Sequence, residues 1–154
     1  MKKRIMVCLT ALVLVFVMTA CGKKSDDVTV DITKLAADLQ ESIDSSVAEI
    51  SSDIFASTFF VDMDKIEEST ALLNSGAYAG EIVIVKCKDS DYVSEVETLF
   101  QTRAQNQSKL FADYNAPEAA KLDAALIRSA GNYVVYCVPD DTAKAEEILK
   151  AAGF

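Results

Sequence analysis

Two apolar runs, Ile82-Val83-Ile84-Val85 and Tyr133-Val134-Val135-Tyr136-Cys137-Val138, decide the fold of this chain. Neither run alternates between apolar and polar residues. A short run of β-branched and aromatic side chains without alternation is typical of a strand that is covered on both faces. The two runs therefore predict the central strands of a sheet that has helices packed against it.

Each central strand is predicted to pair with a shorter strand that precedes it in the chain. Residues 70–73 are separated from the first run by the turn residues Asn74-Ser75-Gly76. Residues 126–129 are separated from the second run by Gly131-Asn132, a pair suited to a tight hairpin. The sequence thus predicts a four-stranded antiparallel or mixed sheet made of two hairpins.

The remaining segments have helical periodicity. Apolar residues recur at helical spacing from Ile32 to Ile54, and the serines near positions 45 and 51 predict that this stripe divides into two helices. The predicted helix starts are Asp31 or Thr33, Ser52 or Asp53, Ser90 or Asp91, Pro117, and Asp140 or Asp141. Residues 31–154 are therefore predicted to form a single globular α+β domain in which helices pack on the sheet.

The N-terminal residues are typical of an export signal. Lys2, Lys3 and Arg4 precede an apolar stretch, residues 5–20, that is shorter than the ~20 residues of a membrane-spanning helix. Met18-Thr19-Ala20-Cys21 resembles the bacterial lipobox, which implies cleavage before Cys21 and lipidation of its thiol. We therefore expect a lipoprotein signal peptide at residues 1–20, a tether at 21–30, and attachment to the outer face of the cell membrane.

The composition excludes several classes of function. The 154 residues include no histidine, so Ser-His-Asp and Cys-His catalysis and imidazole metal sites are excluded. The net charge is −9 and would be more negative without the signal, which argues against nucleic-acid binding. No cofactor or metal is expected.

After loss of Cys8 with the signal and modification of Cys21, two cysteines remain. Cys87 and Cys137 both lie in predicted strands. In an exported domain they could form a disulfide, but a domain of this size does not need one, and two buried free thiols are the favoured interpretation.

Acidic residues form two candidate sites. Asp62, Asp64, Glu67 and Glu68 are clustered, but they lack the central glycine of a calcium loop, so a capped short helix with a solvated face is predicted. Glu81 and Glu118 could act as a carboxylate pair, although surface charge is the simpler interpretation.

The aromatic residues offer a candidate binding surface. Tyr114, Tyr133 and Tyr136 could line the end of the sheet, although packing with hydroxyls that reach solvent is favoured. The pair Phe59-Phe60 is predicted to belong to the core, with a partner site as the alternative.

Three segments together carry a family resemblance. They are Tyr78-Ala79-Gly80-Glu81 with the strand that follows, Asp113-Tyr114-Asn115-Ala116-Pro117-Glu118, and Gly131-Asn132-Tyr133-Val134. With the lipobox, they resemble the bacterial lipoproteins of the domain of unknown function 4358 family. The resemblance covers about residues 30–152, and it implies a Gram-positive surface location and no particular activity.

The expected function is binding at the membrane without catalysis. A lipid-anchored extracytoplasmic domain, acting as a binding or accessory module for an envelope protein, fits the anchor, the absent histidine and the absence of a phosphate-loop or metal motif. The alternative is an envelope enzyme that uses carboxylates, for example in the hydrolysis of cell-wall glycans.

Overall fold

The computed structural model describes residues 28–154, and within them the chain forms five α-helices and a five-stranded antiparallel sheet. The helices are α1 (Ile32–Gln40), α2 (Ser52–Phe59), α3 (Val93–Ala112), α4 (Ala116–Asp123) and α5 (Thr142–Ala151). The strands are β1 (Val47–Glu49), β2 (Ile66–Asn74), β3 (Glu81–Cys87), β4 (Leu126–Ala130) and β5 (Tyr133–Val138). The α+β class is confirmed, and the sheet is antiparallel rather than mixed.

The strand order is β1-β2-β3-β5-β4. The two predicted hairpins, β2–β3 and β4–β5, are both present, and β3 pairs with β5 so that Ile82 lies opposite Cys137. The two apolar runs therefore occupy the centre of the sheet, as predicted.

The prediction of four strands is wrong, because β1 adds a fifth at the edge. Val47 pairs with Asn74, and the Asn74 side-chain amide donates to the Ser46 carbonyl at 2.8 Å. The sequence does not predict this strand, because the spacing of Ile43 and Val47 is helical and the segment falls between two predicted helices. A three-residue edge strand whose Ala48 is exposed has too little alternation to be recognised.

The predicted short helix at residues 62–68 is also wrong. Only Met63–Lys65 forms a turn of 3-10 helix, capped by the Asp62 side chain, which accepts the Asp64 N–H at 3.0 Å. Glu67 and Glu68 belong to β2, which contains a bulge between Ile66 and Glu68. The strand is therefore much longer than the predicted residues 70–73.

The helices form one layer on each face of the sheet. On one face, α1 and α5 cover Ile82, Ile84 and Val135. On the other, α2, α3 and α4 cover side chains that include Val83 and Tyr136. Because successive strand residues point to opposite faces, the two apolar runs supply both cores at once.

Three of the five helices begin at a side-chain cap. Asp31, Ser51 and Asp141 accept a backbone N–H at the starts of α1, α2 and α5. By contrast, α3 begins at Val93, after a 3-10 turn at Ser90–Tyr92 and not at the predicted Ser90 or Asp91, and neither α3 nor α4 has a side-chain cap. Gly153 has a φ of +98°, and Phe154 N–H donates to the Leu149 carbonyl at 3.0 Å, which closes α5. The predicted caps at Asp31 and Asp141 are confirmed, while Ser51 replaces Ser52 or Asp53 as the cap of α2.

Some predictions fall outside the described residues. They are the signal peptide at 1–20, the lipidation of Cys21 and most of the tether at 21–30. Within residues 28–154, no helix is long and apolar enough to cross a membrane.

Candidate functional site

Two sets of ion pairs, Glu81–Arg103 and Glu118–Lys121–Asp140, lie at one end of the sheet, where β3 begins and β5 ends. Their members, called here the sheet-end network, are Glu81, Arg103, Glu118, Lys121 and Asp140. The sequence singled out the two glutamates but not their partners. The sequence could have indicated Arg103, because this residue lies beside the buried stripe of α3 and a charged side chain there requires a partner.

Glu81 and Arg103 form a bidentate ion pair at the edge of the core. Arg103 Nη2 donates to Glu81 Oε1 at 2.5 Å, and Arg103 Nε donates to Oε2 at 3.3 Å. The guanidinium also lies 5.3 Å from the ring centre of Phe59. Arginine suits this place because its planar donors match a carboxylate while its face packs on an aromatic ring.

Glu118 joins α4 to the start of β3. Its Oε2 accepts the backbone N–H of Ala79 at 2.7 Å, and its Oε1 accepts from Lys121 Nζ at 2.5 Å. Lys121 also donates to Asp140, whose second oxygen accepts the Asp44 N–H at 2.7 Å. The network thus connects α4 with the segment that follows α1, around the end of the sheet.

Charge complementarity raises the pKa of Lys121 and lowers the pKa of Asp140. Burial lowers the pKa of Lys121, but hydrogen bonds to Asp140 and Glu118 outweigh burial and raise it above its ordinary value. Burial raises the pKa of Asp140, but the hydrogen bonds from Lys121 and the Asp44 N–H bring it below its ordinary value. Both groups are therefore held in their charged forms at neutral pH.

Gly80 fixes the chain where the network meets the sheet. A Cβ atom at this position would lie 2.9 Å from both Ile43 Cγ2 and Ser45 Oγ. The absence of a side chain lets the segment after α1 approach β3, which places Asp44 within reach of Asp140.

The proposed carboxylate pair is therefore engaged in structural contacts. Both Glu81 and Glu118 are buried, and each is bound by its own cation. A general acid or nucleophile needs a carboxyl group that can reach a substrate. Arg103 and Lys121 occupy the oxygens that such a role would use.

The three tyrosines have different environments. Tyr133 and Tyr136 are buried on opposite faces of the sheet, whereas Tyr114 is 66% exposed and stacks on Phe111 with ring centres 5.1 Å apart. Burial raises the pKa of Tyr136 well above its ordinary value, and the charge of Glu81 adds to this effect. The tyrosines therefore do not form a single surface at the sheet end.

Cys87 and Cys137 are both free and buried. They lie on opposite faces of the sheet, in separate cores, so they cannot reach each other. Burial raises the pKa of Cys87 to about 11 and that of Cys137 to about 12. Protonated thiols in these places are poor nucleophiles, and the favoured interpretation of buried free thiols is confirmed.

The acidic cluster at positions 62–68 does not converge. Asp62 caps the 3-10 turn, and Glu67 pairs with Lys86 at 2.9 Å. In the part of the chain that the structure describes, no group of three or more Cys, Asp or Glu residues could hold a metal ion.

Phe59 and Phe60 separate into different environments. Phe59 is buried and packs against Phe100 and Tyr136, as predicted for a core residue. Phe60 ends α2 with a φ of +59° and is 79% exposed, which contradicts the prediction of a core position. A left-handed cap residue points away from the helix axis, and the sequence pair gives no sign of this change in direction.

A groove of about 560 Å³ lies between α1 and α5. This surface, called here the α1–α5 groove, has an apolar floor and a charged rim. The floor includes Val30, Leu35, Ile148, Ala151 and Ala152, and the rim carries Asp31, Lys34, Asp38, Glu41, Lys144 and Glu147. Sequence patterns did not indicate the groove, because it forms only when helices from the two ends of the domain pack together.

Residues 41–139 match the model of a family described as Domain of unknown function (DUF4358). The chain belongs to the DUF4358 family. The resemblance seen in the sequence is thus confirmed at the level of the family. No curated protein and no solved structure matches the chain.

The segment shared with the DUF4358 family contains most of the sheet-end network. The sequence motifs at residues 78–81 and 113–118 meet there, through the Ala79 N–H and the Glu118 carboxylate. By contrast, α1 and α5, which form the groove, lie outside the matched residues. Four of the five network residues therefore lie within the matched segment, and most of the groove lining lies outside it.

Proposed function

We propose that this DUF4358 protein is a lipoprotein, held through Cys21 at the outer face of the cell membrane, that acts by binding a protein partner. The anchor is inferred from Met18-Thr19-Ala20-Cys21. The binding role is inferred from the α1–α5 groove, which is the observation that carries it. Thr29, Val30 and Asp31 line this groove, so it opens close to the proposed attachment point.

The chemistry of the domain supports binding rather than catalysis. The chain has no histidine, its two buried glutamates are bound by Arg103 and Lys121, and the pKa values of its buried thiols are raised. Neither glutamate lines the α1–α5 groove. The groove therefore offers shape, apolar area and charge, which are the features of a recognition surface.

The anchor is tested by replacing the cysteine. We expect Cys21→Ala to move the protein from the membrane fraction to the medium, or to leave it as an uncleaved precursor, because the thiol that accepts the lipid is gone. Cys8→Ala is the matched control, since it changes a cysteine within the signal and should leave anchoring intact. Mass spectrometry of the mature wild-type N-terminus should find a diacylglyceryl group on Cys21, and an unmodified thiol there would refute the proposal.

A further inference from the structure

We propose that the α1–α5 groove binds a basic amphipathic segment of an envelope protein that lies at the membrane surface. The inference rests on the proposed function for the location of the domain. The identity of the occupant is argued separately, from the charge and shape of the groove.

The charge of the rim favours a cationic occupant. Lys34 pairs with Asp38, and Lys144 Nζ lies 3.1 Å from Glu41, so each lysine is already bound by one carboxylate. Glu147 forms no ion pair among residues 28–154, and the Asp31 carboxylate accepts the Lys34 N–H at 2.9 Å without forming an ion pair there. The rim therefore has an excess of negative charge that a lysine or arginine side chain would neutralise.

The floor of the groove favours an amphipathic occupant. Leu35 belongs to the core under α1 and α5, and Ile148 packs against it. The small side chains of Ala151 and Ala152 leave the groove open along the end of α5. An apolar floor between charged rims matches a helix or extended segment that has apolar side chains on one face and basic side chains on its flanks.

The position of the groove explains how such a segment would reach it. Residues 21–27 can span at most ~25 Å when fully extended, so the anchor would keep the groove within that distance of the bilayer. Anionic lipids repel the acidic groove and attract basic amphipathic segments to the membrane surface. The membrane would thus supply the occupant and leave the groove free to receive it.

A second copy of the chain is a poor occupant. The chain has a net charge of −9, so two copies that met through this groove would bring two acidic rims together. The other candidate occupant is the chain's own Lys23-Lys24, which precedes the groove in the sequence. The experiment below separates it from an external segment.

The test measures peptide binding by the purified full-length protein in detergent micelles. The probe is a fluorescent amphipathic peptide of leucine and lysine about four helical turns long, and fluorescence anisotropy reports its binding. A matched peptide with glutamate in place of lysine, and protein-free micelles, provide the blanks. We expect the basic peptide to bind the protein and the acidic peptide not to bind.

Three variants locate the bound peptide. Glu147→Lys reverses the unpaired rim charge, and Ala151→Trp fills the floor without changing charge; each should weaken binding at least about fivefold. Glu146→Lys is the matched control, because Glu146 is the next residue on α5 but its carboxylate pairs with Arg128 of β4 at 3.2 Å. We expect this control to bind within about twofold of wild type.

Three results would overturn the proposal. Equal weakening by Glu146→Lys and Glu147→Lys would show attraction by net charge alone. Undiminished binding by Ala151→Trp would place the peptide elsewhere. Binding only after Lys23 and Lys24 are changed to Gln would assign the groove to the chain's own segment. Because the assay uses detergent, its outcome does not depend on whether Cys21 is lipidated.

Discussion

Glu118 joins two segments that are distant in sequence through a single carboxylate. It is 5% exposed, and its two oxygens accept from the Ala79 N–H and from Lys121. A hydrogen bond to a buried charged group contributes about 1.5–3 kcal/mol, and loss of one partner leaves the other unsatisfied. The start of β3 therefore depends on this residue of α4.

We expect Glu118→Gln to lower the free energy of unfolding by about 1–3 kcal/mol. The amide oxygen can still accept from Ala79, but the amide NH₂ cannot accept from Lys121, so the charged pair is lost. Urea denaturation followed by circular dichroism measures the change.

Glu68→Gln is the matched control, because Glu68 is an exposed residue of β2. Its free energy of unfolding should stay within about 0.5 kcal/mol of wild type. An equal loss in both variants would mean that net charge, rather than the contacts of Glu118, sets the stability.

At this scale the sequence favours surface charge for Glu81 and Glu118, and the structure contradicts this, because both side chains are buried. Their positions beside a turn and after a helix break also allow a carboxylate pair. Their separate engagement with Arg103 and Lys121 depends on how α3 and α4 pack on the sheet. No sequence spacing encodes that packing.

Three of the helices, α1, α2 and α5, begin where a side chain accepts one of their first free N–H groups. Asp141 Oδ1 accepts the Lys144 N–H at 3.0 Å and so caps α5. Because α5 covers Cys137 and Val135 together with α1, a weakened cap should reduce the stability of that whole layer.

Asp141→Ala should therefore cost about 1 kcal/mol of stability, whereas Asp141→Asn should cost only a few tenths, because asparagine caps helices about as well. Thermal unfolding followed by circular dichroism ranks the three proteins. An asparagine variant as unstable as the alanine variant would show that the charge of Asp141, rather than its cap, is important.

Elements with a strong local signal were predicted well, and elements determined by tertiary contacts were not. The continuous apolar runs of β3 and β5 and the caps at Asp31 and Asp141 are local features. The edge strand β1 forms because β2 offers it a partner, and its three residues carry little pattern of their own. The same dependence extended β2 back to Ile66, through glutamates that favoured a solvated helix face in the sequence.

At the scale of the whole molecule, Lys121 and Asp140 tie the two helical layers together around the sheet end. Lys121 belongs to α4 in one layer, and Asp140 accepts the Asp44 N–H in the segment that follows α1 in the other. The folded-state pKa of Asp140 is below its ordinary value, so its ionised form stabilises the fold. That contribution is present above the unfolded pKa of about 3.9 and is lost as the pH falls through the folded pKa.

We therefore expect Asp140→Asn to be less stable than wild type at neutral pH, with a difference that shrinks below pH ~4. Urea denaturation at a series of pH values gives the two curves. Asp113→Asn, an exposed aspartate at the end of α3, is the control and should follow the wild-type curve. A difference that stays constant down to pH ~3 would contradict the assigned role of Asp140.

The α1–α5 groove shows why a surface of this kind escapes sequence patterns. Asp31 and Glu147 lie near opposite ends of the domain sequence, and only the packing of α1 on α5 brings them to one rim. Their residue types are ordinary for helix surfaces. The proposed binding role depends on this surface, and a surface is a property of the folded domain.

The sheet lies between Cys87 and Cys137, so a different helical layer covers each thiol. Each thiol is shielded until the layer above it opens. The rate at which an alkylating reagent modifies that thiol therefore reports the opening of that layer alone. We expect mass spectrometry in mild denaturant to detect chains labelled at both or neither of these two positions if the layers unfold together. Chains labelled only at Cys137 would instead reveal that α1 and α5 detach first, which would make the groove the most easily remodelled part of the molecule.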